Sequence, residues 1–147
     1  MRIGELCNRS VVVGDRMESA AQVGRLMRDH HVGSVVLVEK HQGRRKPVGI
    51  ITDRDLMRSI VAGNLPAEAT PVGKVMSREP YCAREDRDVH EVLEQMRARG
   101  IRRVPVVDAE GFLLGIFTFD DMVEWTGTQL MELTRLLQRE QRRERGN

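Results

Sequence analysis

Three things are scarce in this chain of 147 residues, and each scarcity excludes something. Only two cysteines are present, Cys7 and Cys82, so no disulfide framework can be drawn. Aromatic residues make up 3%, which leaves few platforms for stacking bases and requires an aliphatic core. No apolar run approaches the roughly 20 residues that a bilayer-spanning helix needs, and Met1-Arg2-Ile3-Gly4-Glu5 lacks the apolar stretch of a signal peptide. Nor is there an excess of one charge. The net charge is +2 from 24 basic and 22 acidic residues, with the signs mixed along the chain. That is unlike the one-sided footprint of a nucleic-acid binder. The expectation is a cytoplasmic protein without membrane or nucleic-acid partners. What remains, 40% hydrophobic and 31% charged, is the composition of a globular domain able to bury roughly 70% of its unfolded surface.

One short phrase occurs twice. It reads Gly49-Ile50-Ile51-Thr52-Asp53-Arg54-Asp55, and again Gly115-Ile116-Phe117-Thr118-Phe119-Asp120-Asp121. Around it lies a longer repeat. A shift of 69 places lays Ile3–Glu39 over Val72–Asp108 without a gap, matching Gly4/Gly73, Arg9/Arg78, Val23/Val92, Met27/Met96, Arg28/Arg97, Val35/Val104 and Val38/Val107. Beyond this the shift becomes 66, and the difference falls in His41-Gln42-Gly43-Arg44-Arg45-Lys46-Pro47, which reads as a hairpin loop.

Periodicity orders the elements of each copy as helical turn, short strand, helix, strand, strand, helix. Val89, Val92, Leu93 and Met96 fall at helical spacing, with Gly100 as a stop; Ala20, Val23 and Met27 are the first-copy counterparts, weakened by Gly24. Val35-Val36-Leu37-Val38 and Val104-Pro105-Val106-Val107 suit strands buried on both faces. Short loops predict antiparallel pairing with the strands that end at Thr52 and Thr118. The first copy's second helix should end near Val61. Thr70 is placed to cap a helix with Pro71 at its first position. The resulting division is 3–62, a linker 63–71, 72–126, and a C-terminal segment 127–147. There Gly127 weakens the helical pattern before Leu130, Leu133 and Leu137 resume it. From Gln138 onward the chain is polar and Arg-rich, a solvated tail. The fold class is α+β, two repeated β-α-β-β-α units packed as a pseudo-twofold pair.

The phrase can be read in two ways. Thr-x-x-Asp ahead of an apolar helix is close to a capping box, worth about 1 kcal/mol and implying no ligand. The same helix start can hold a phosphate, with the Thr hydroxyl donating and the Asp oxygens accepting from a ribose diol. Gly49 and Gly115 would then let backbone approach the ligand closely. No activated nucleophile or acid–base pair accompanies it, so the expectation is binding rather than catalysis, and no enzyme.

At these residues the chain resembles a tandem pair of CBS domains, over roughly Ile3 to Glu124. Beyond the doubled Gly-hydrophobic-x-Thr-x-x-Asp, the resemblance includes Met27–Val36 and Arg97–Asp108. It implies a regulatory sensor of an adenosine nucleotide: AMP foremost, with ADP, ATP, S-adenosylmethionine or NADH as other candidates. It also implies a homodimer and a separate regulated protein. Thr52, Asp55, Thr118 and Asp121 would bind phosphate and ribose. Val32, Gly33, Ser34 and Val35, and Ile101, Arg102, Arg103, Val104 and Pro105, would enclose the base. Val12 and Cys82 would contribute from the segments Val11–Val13 and Tyr81–Ala83, and Ile50 and Ile116 from the phrase itself. Arg54 could pair with a phosphate, whereas its counterpart Asp120 would repel one, with Arg102 and Arg103 able to compensate. The two clefts should therefore differ, the one with Asp55 and Arg54 being stronger.

Two other readings stand beside this one. In the first, the clefts are empty and the module is structural or dimerising. In the second, His30, His31, Cys7 and Cys82 respond to metal or redox state. Against the second, no ligand-like spacing is present, and both thiols align with apolar residues of the other copy, as buried inert cysteines would. No metal is expected.

Overall fold

The longest strand pair forms where the apolar run of the first copy meets its polar loop. The computed structural model describes residues 1–146, as one compact body up to Phe117 and a second beginning at Thr118. In the first body, β2 (Ser34–His41) and β3 (Arg44–Thr52) pair antiparallel. The loop expected over 41–47 shrinks to Gln42 and Gly43, both at positive φ (51° and 79°). Two such residues match the right-handed twist of the flanking strands, so the ladder continues through Arg44–Pro47. The register slips between Leu37 and Val38, where Pro47 pairs and cannot donate to the ladder.

The remaining elements of the first copy are a helical turn α1 (Ile3–Leu6), β1 (Val13–Gly14), α2 (Ala20–His30) and α3 (Asp53–Leu56). The last continues as a π-turn to Val61, the stop expected from the sequence. The second copy has a 3₁₀ turn (Val72–Lys74), β4 (Ser77–Arg78), β5 (Ala83–Arg84), α4 (Val89–Arg99), β6 (Arg103–Val107) and β7 (Leu113–Thr118). Helix α2 ends at His31 and α4 at Gly100, both left-handed, at φ 53° and 64°.

Two sheets result, ordered β1-β2-β3-β4 and β5-β6-β7. The order shows that β4, from the second copy, completes the sheet of the first, with Gly49 opposite Arg78 and Ile50 opposite Ser77. The reverse crossing is also present, as Asn8 exchanges both backbone hydrogen bonds with Ile116 at 2.8 and 2.9 Å. Matching bonds run from Gly4 N–H to the Glu85 carbonyl and from Gly73 N–H to the Arg16 carbonyl. Each copy thus lends its leading segment to the other. Val72 accordingly packs in the core of the first copy with Val23, Met27, Val35, Leu37 and Ile51. Val36 and Val38 meet Leu113 and Ile116 between the sheets.

Thr70 and Pro71 depart from expectation. Thr70 is buried and its hydroxyl donates to the Pro66 carbonyl, while Pro71 rather than Thr70 precedes the 3₁₀ turn. The carbonyl of Thr70 accepts from Ala20 at the start of α2, so this residue ties the linker to a helix instead of capping one.

The second body is one helix, α5 (Phe119–Arg145), 27 residues long. It passes through Gly127 without a break, and a Cβ added there would meet nothing within 4 Å beyond the helix's own backbone. A single interior glycine costs roughly 1 kcal/mol relative to alanine, too little to stop a helix this long. The segment expected as a polar tail is helical as far as Arg145.

Candidate functional site

Each copy of the phrase closes a strand and opens a helix, and in each the Thr and Asp hold one another. Asp55 N–H donates to Thr52 Oγ1 at 3.1 Å, and Thr52 N–H donates to Asp55 Oδ2 at 2.9 Å. Thr118 and Asp121 repeat both bonds at 3.1 and 2.9 Å, and the Thr118 hydroxyl also donates to Asp121 Oδ2 at 2.7 Å. These are reciprocal capping boxes in which Asp substitutes for the usual Glu. The structural reading of the phrase is therefore realised, with one carboxylate oxygen, Oδ2, committed to the helix start.

The glycines of the phrase serve the exchanged strands. A Cβ on Gly49 would lie 2.3 Å from Met76 Sδ, and one on Gly115 would lie 2.7 Å from Cys7 Sγ and 2.8 Å from the Asn8 carbonyl oxygen. The close approach expected of a ligand is made by the leading segment of the other copy. Val35 and Val104 are fully buried and Pro105 nearly so, which leaves their side chains in the core rather than on a cleft wall. Val12 packs against the same core as Val35, and Ile116 lies between the sheets.

A cleft of about 360 Å³ does form at the first phrase. It is lined by Ile50, Thr52, Asp53, Arg54 and Asp55, by Ser77 on β4, and by Gly100, Ile101, Arg102 and Arg103 of the second copy. Arg102 and Arg103, which comparison of the copies assigned to the side of Asp120, thus share a cavity with Thr52 and Arg54. Gly33 belongs to this neighbourhood, because a Cβ there would lie 2.8 Å from Arg103 Nη2 and 3.3 Å from Asp53 Oδ2. Its carbonyl accepts from Asp53 N–H at 3.1 Å. That bond ties the loop carrying Val32 and Gly33 to the start of α3, and Ser34 sits opposite Thr52 in the ladder. Asp53, Ser77 and Gly100 are cleft residues that the sequence did not single out. Nothing in the local sequence marks Ser77, since it arrives only through strand exchange.

Cys82 lies elsewhere, in a cavity of about 460 Å³ with Tyr81, Arg84, Arg87 and Glu91. Burial pushes its thiol up to about 11, and Sγ donates to the Pro80 carbonyl at 3.3 Å. Against a free cysteine near 8.5, thiolate at pH 8 should be reduced on the order of 100-fold. Iodoacetamide should therefore label Cys82 about that much more slowly in the folded chain than in urea, followed by peptide mass spectrometry. Equal rates would contradict an inert thiol. Among the described residues no group of three or more His, Cys, Asp or Glu side chains comes together to hold a metal ion. His30, the last residue of α2, and His31, its cap, are both exposed.

Duplicated halves, exchanged leading segments and a helix opening at each Thr define a paired α+β module. The CBS domain model matches residues 3–62 and 72–127, and the chain belongs to the CBS domain family. It is 36% identical over 122 residues to a protein of Methanopyrus kandleri, covering 83% of this chain and 61% of that one. The chain thus spans about three-fifths of that relative's length. Among solved structures it is similar to a CBS domain protein of Pyrobaculum aerophilum complexed with AMP, with a TM-score of 0.75 and 28% identity over 82% of this chain and 89% of that one. It is also similar to the CBS domain pair of the protein MJ0100 in complex with 5′-methylthioadenosine and S-adenosyl-L-methionine, at a TM-score of 0.77 and 25% identity. That match covers 88% of this chain and 98% of the other.

Proposed function

We propose that the chain is a regulatory module that binds an adenosine nucleotide in the cleft beside Thr52 and signals to a protein target through its shape or partner affinity. The observation that carries this reading is the convergence of three arginines, Arg54, Arg102 and Arg103, with Thr52 and Ser77 on one cavity. Guanidinium forks suit phosphate oxygens, and hydroxyls can donate beside them. Adenosine ligands in the two similar structures supply the nucleoside class. AMP, ADP and ATP are the leading candidates, and the count of three arginines suits more than one phosphate.

The capping boxes change which residues test this. Asp55→Ala removes a helix cap as well as any ligand contact, so about 1 kcal/mol of stability should go with it. Arg103→Ala is the cleaner probe, because charge-assisted hydrogen bonds are worth roughly 1.5–3 kcal/mol and no cap is lost. Melts with AMP, ADP, ATP, S-adenosylmethionine and NADH should show one ligand stabilising by about 2.7 kcal/mol at one hundred times its dissociation constant. Arg103→Ala should weaken that ligand by about 10- to 100-fold with the unliganded melt unchanged. Absence of any ligand response would leave the boxes as caps alone. The cleft with Asp55 and Arg54 should also be the tighter of two, and a titration with equal, independent sites would contradict that ordering.

A further inference from the structure

The hairpin of the first copy is three residues longer than that of the second, since the repeat shift falls from 69 to 66 within it. The extra length carries the β2–β3 ladder on to the pairs Lys40–Arg45 and His41–Arg44. At that tip Arg44 reaches the other copy. Its guanidinium pairs with the carboxylates of Asp108 and Glu110, on the turn between β6 and β7, and lies 3.9 Å from the centroid of the Phe112 ring. The turn is preformed to receive it. Asp108 Oδ1 accepts from the N–H groups of Glu110 and Phe112 at 2.9 and 3.0 Å, which leaves Oδ2 for Arg44. An isolated exposed ion pair is worth little, but here two carboxylates and a ring hold one planar fork.

Two strands run from this contact to the cleft. β3 starts at Arg44 and ends at Thr52, while β6 starts at Arg103 and ends at Val107, next to Asp108. Thr52 and Arg103 both line the cleft, on walls that belong to different copies. Arg44 and Asp108 therefore meet at the far ends of the same two strands, roughly 26 Å from Thr52 along β3 at the usual strand rise. Between the two ends the sheets meet through Val36, Val38, Leu113 and Ile116. We propose that Arg44 latches the copies together and so sets the spacing of the cleft walls, as a positioning residue that touches no ligand. This rests on the nucleotide reading of that cleft. A paired strand is stiff along its length, so a tie at one end constrains the other about the apolar contact between them. With the tie cut, each copy tilts about that contact, and Arg102 and Arg103 lose their fixed place opposite Thr52.

Two measurements test this, one of them independent of any nucleotide. In the full chain carrying Cys7→Ser and Cys82→Ser, spin labels on Arg58→Cys and Arg97→Cys, both exposed positions, report the separation of the copies by double electron–electron resonance. Without nucleotide, Arg44→Ala should shift or broaden the distance distribution. Arg44→Lys keeps the charge but not the fork, and should do so less. Arg25→Ala is the control, because it breaks an equally exposed pair, with Glu68 of the linker, and should leave the distances unchanged. In the unlabelled chain, Arg44→Ala should weaken ATP or AMP, whichever the parent binds, by about 5-fold or more, the lower end of ordinary coupling between sites. Arg25→Ala should not. Distances unmoved by Arg44→Ala would overturn the latch. So would an unchanged affinity in a parent that binds nucleotide. A parent that binds neither would refute the nucleotide reading, and the distances would still decide whether Arg44 holds the copies together.

Discussion

Ile51→Ala is expected to lower the midpoint of thermal unfolding by on the order of 10 °C. Ile51 is fully buried between Val23, Met27, Leu37 and Val72, immediately before Thr52. Removing a buried isoleucine side chain costs about 2–5 kcal/mol, the spread depending on how far the site collapses. For a chain of this size each kcal/mol corresponds to roughly 2–4 °C. The same substitution reaches the cleft, since the residue anchors the strand end from which Thr52 and Asp55 project. Calorimetry should show the loss without ligand. A shift of less than about 3 °C would mean that Ile51 contributes little to the core.

Gly115→Ala should destabilise more than Gly49→Ala, although the two glycines occupy equivalent places. At Gly115 the new methyl meets the Asn8 carbonyl oxygen at 2.8 Å, and that carbonyl is held by Ile116 N–H. Backbone pinned by two hydrogen bonds cannot step aside cheaply, so about 1–3 kcal/mol is expected. At Gly49 the nearest atoms are Met76 Sδ and Cγ, and the Ser77 carbonyl oxygen stands off at 3.2 Å. A methionine side chain has rotamers to spare, so roughly 1 kcal/mol or less should be lost. Denaturant midpoints of the two variants measure the difference. Equal losses, or the reverse order, would mean that the exchanged strands do not set the need for glycine here.

This pair of glycines shows where sequence reasoning and tertiary structure part. Repetition at two registers exposed the glycines, but their reason was assigned to a ligand. The atoms that demand them belong to Cys7, Asn8 and Met76, far away in sequence, and no local pattern encodes a strand exchange. The same holds for Ser77, which lines the cleft only because β4 crosses to the other sheet. Arg102 and Arg103 were legible as candidates, and their place beside Thr52 was not. Which copy's helix end borders which copy's phrase is a matter of how two duplicated units pack.

The sequence by itself determined the duplication, the order of elements within each copy, the stops at Val61 and Gly100, and the buried runs Val35–Val38 and Val104–Val107. All of these follow from local periodicity, capping chemistry and the lengths of apolar runs. It also determined that Thr52 and Thr118 open helices. The sequence offered Asp55 and Asp121 two partners, the helix start and a ligand, and the folded backbone shows each carboxylate turned back on its own helix start. Tertiary structure also decided that one cavity unites Thr52 with arginines about 50 residues away, because a cleft between two copies is made of contacts that neither copy contains.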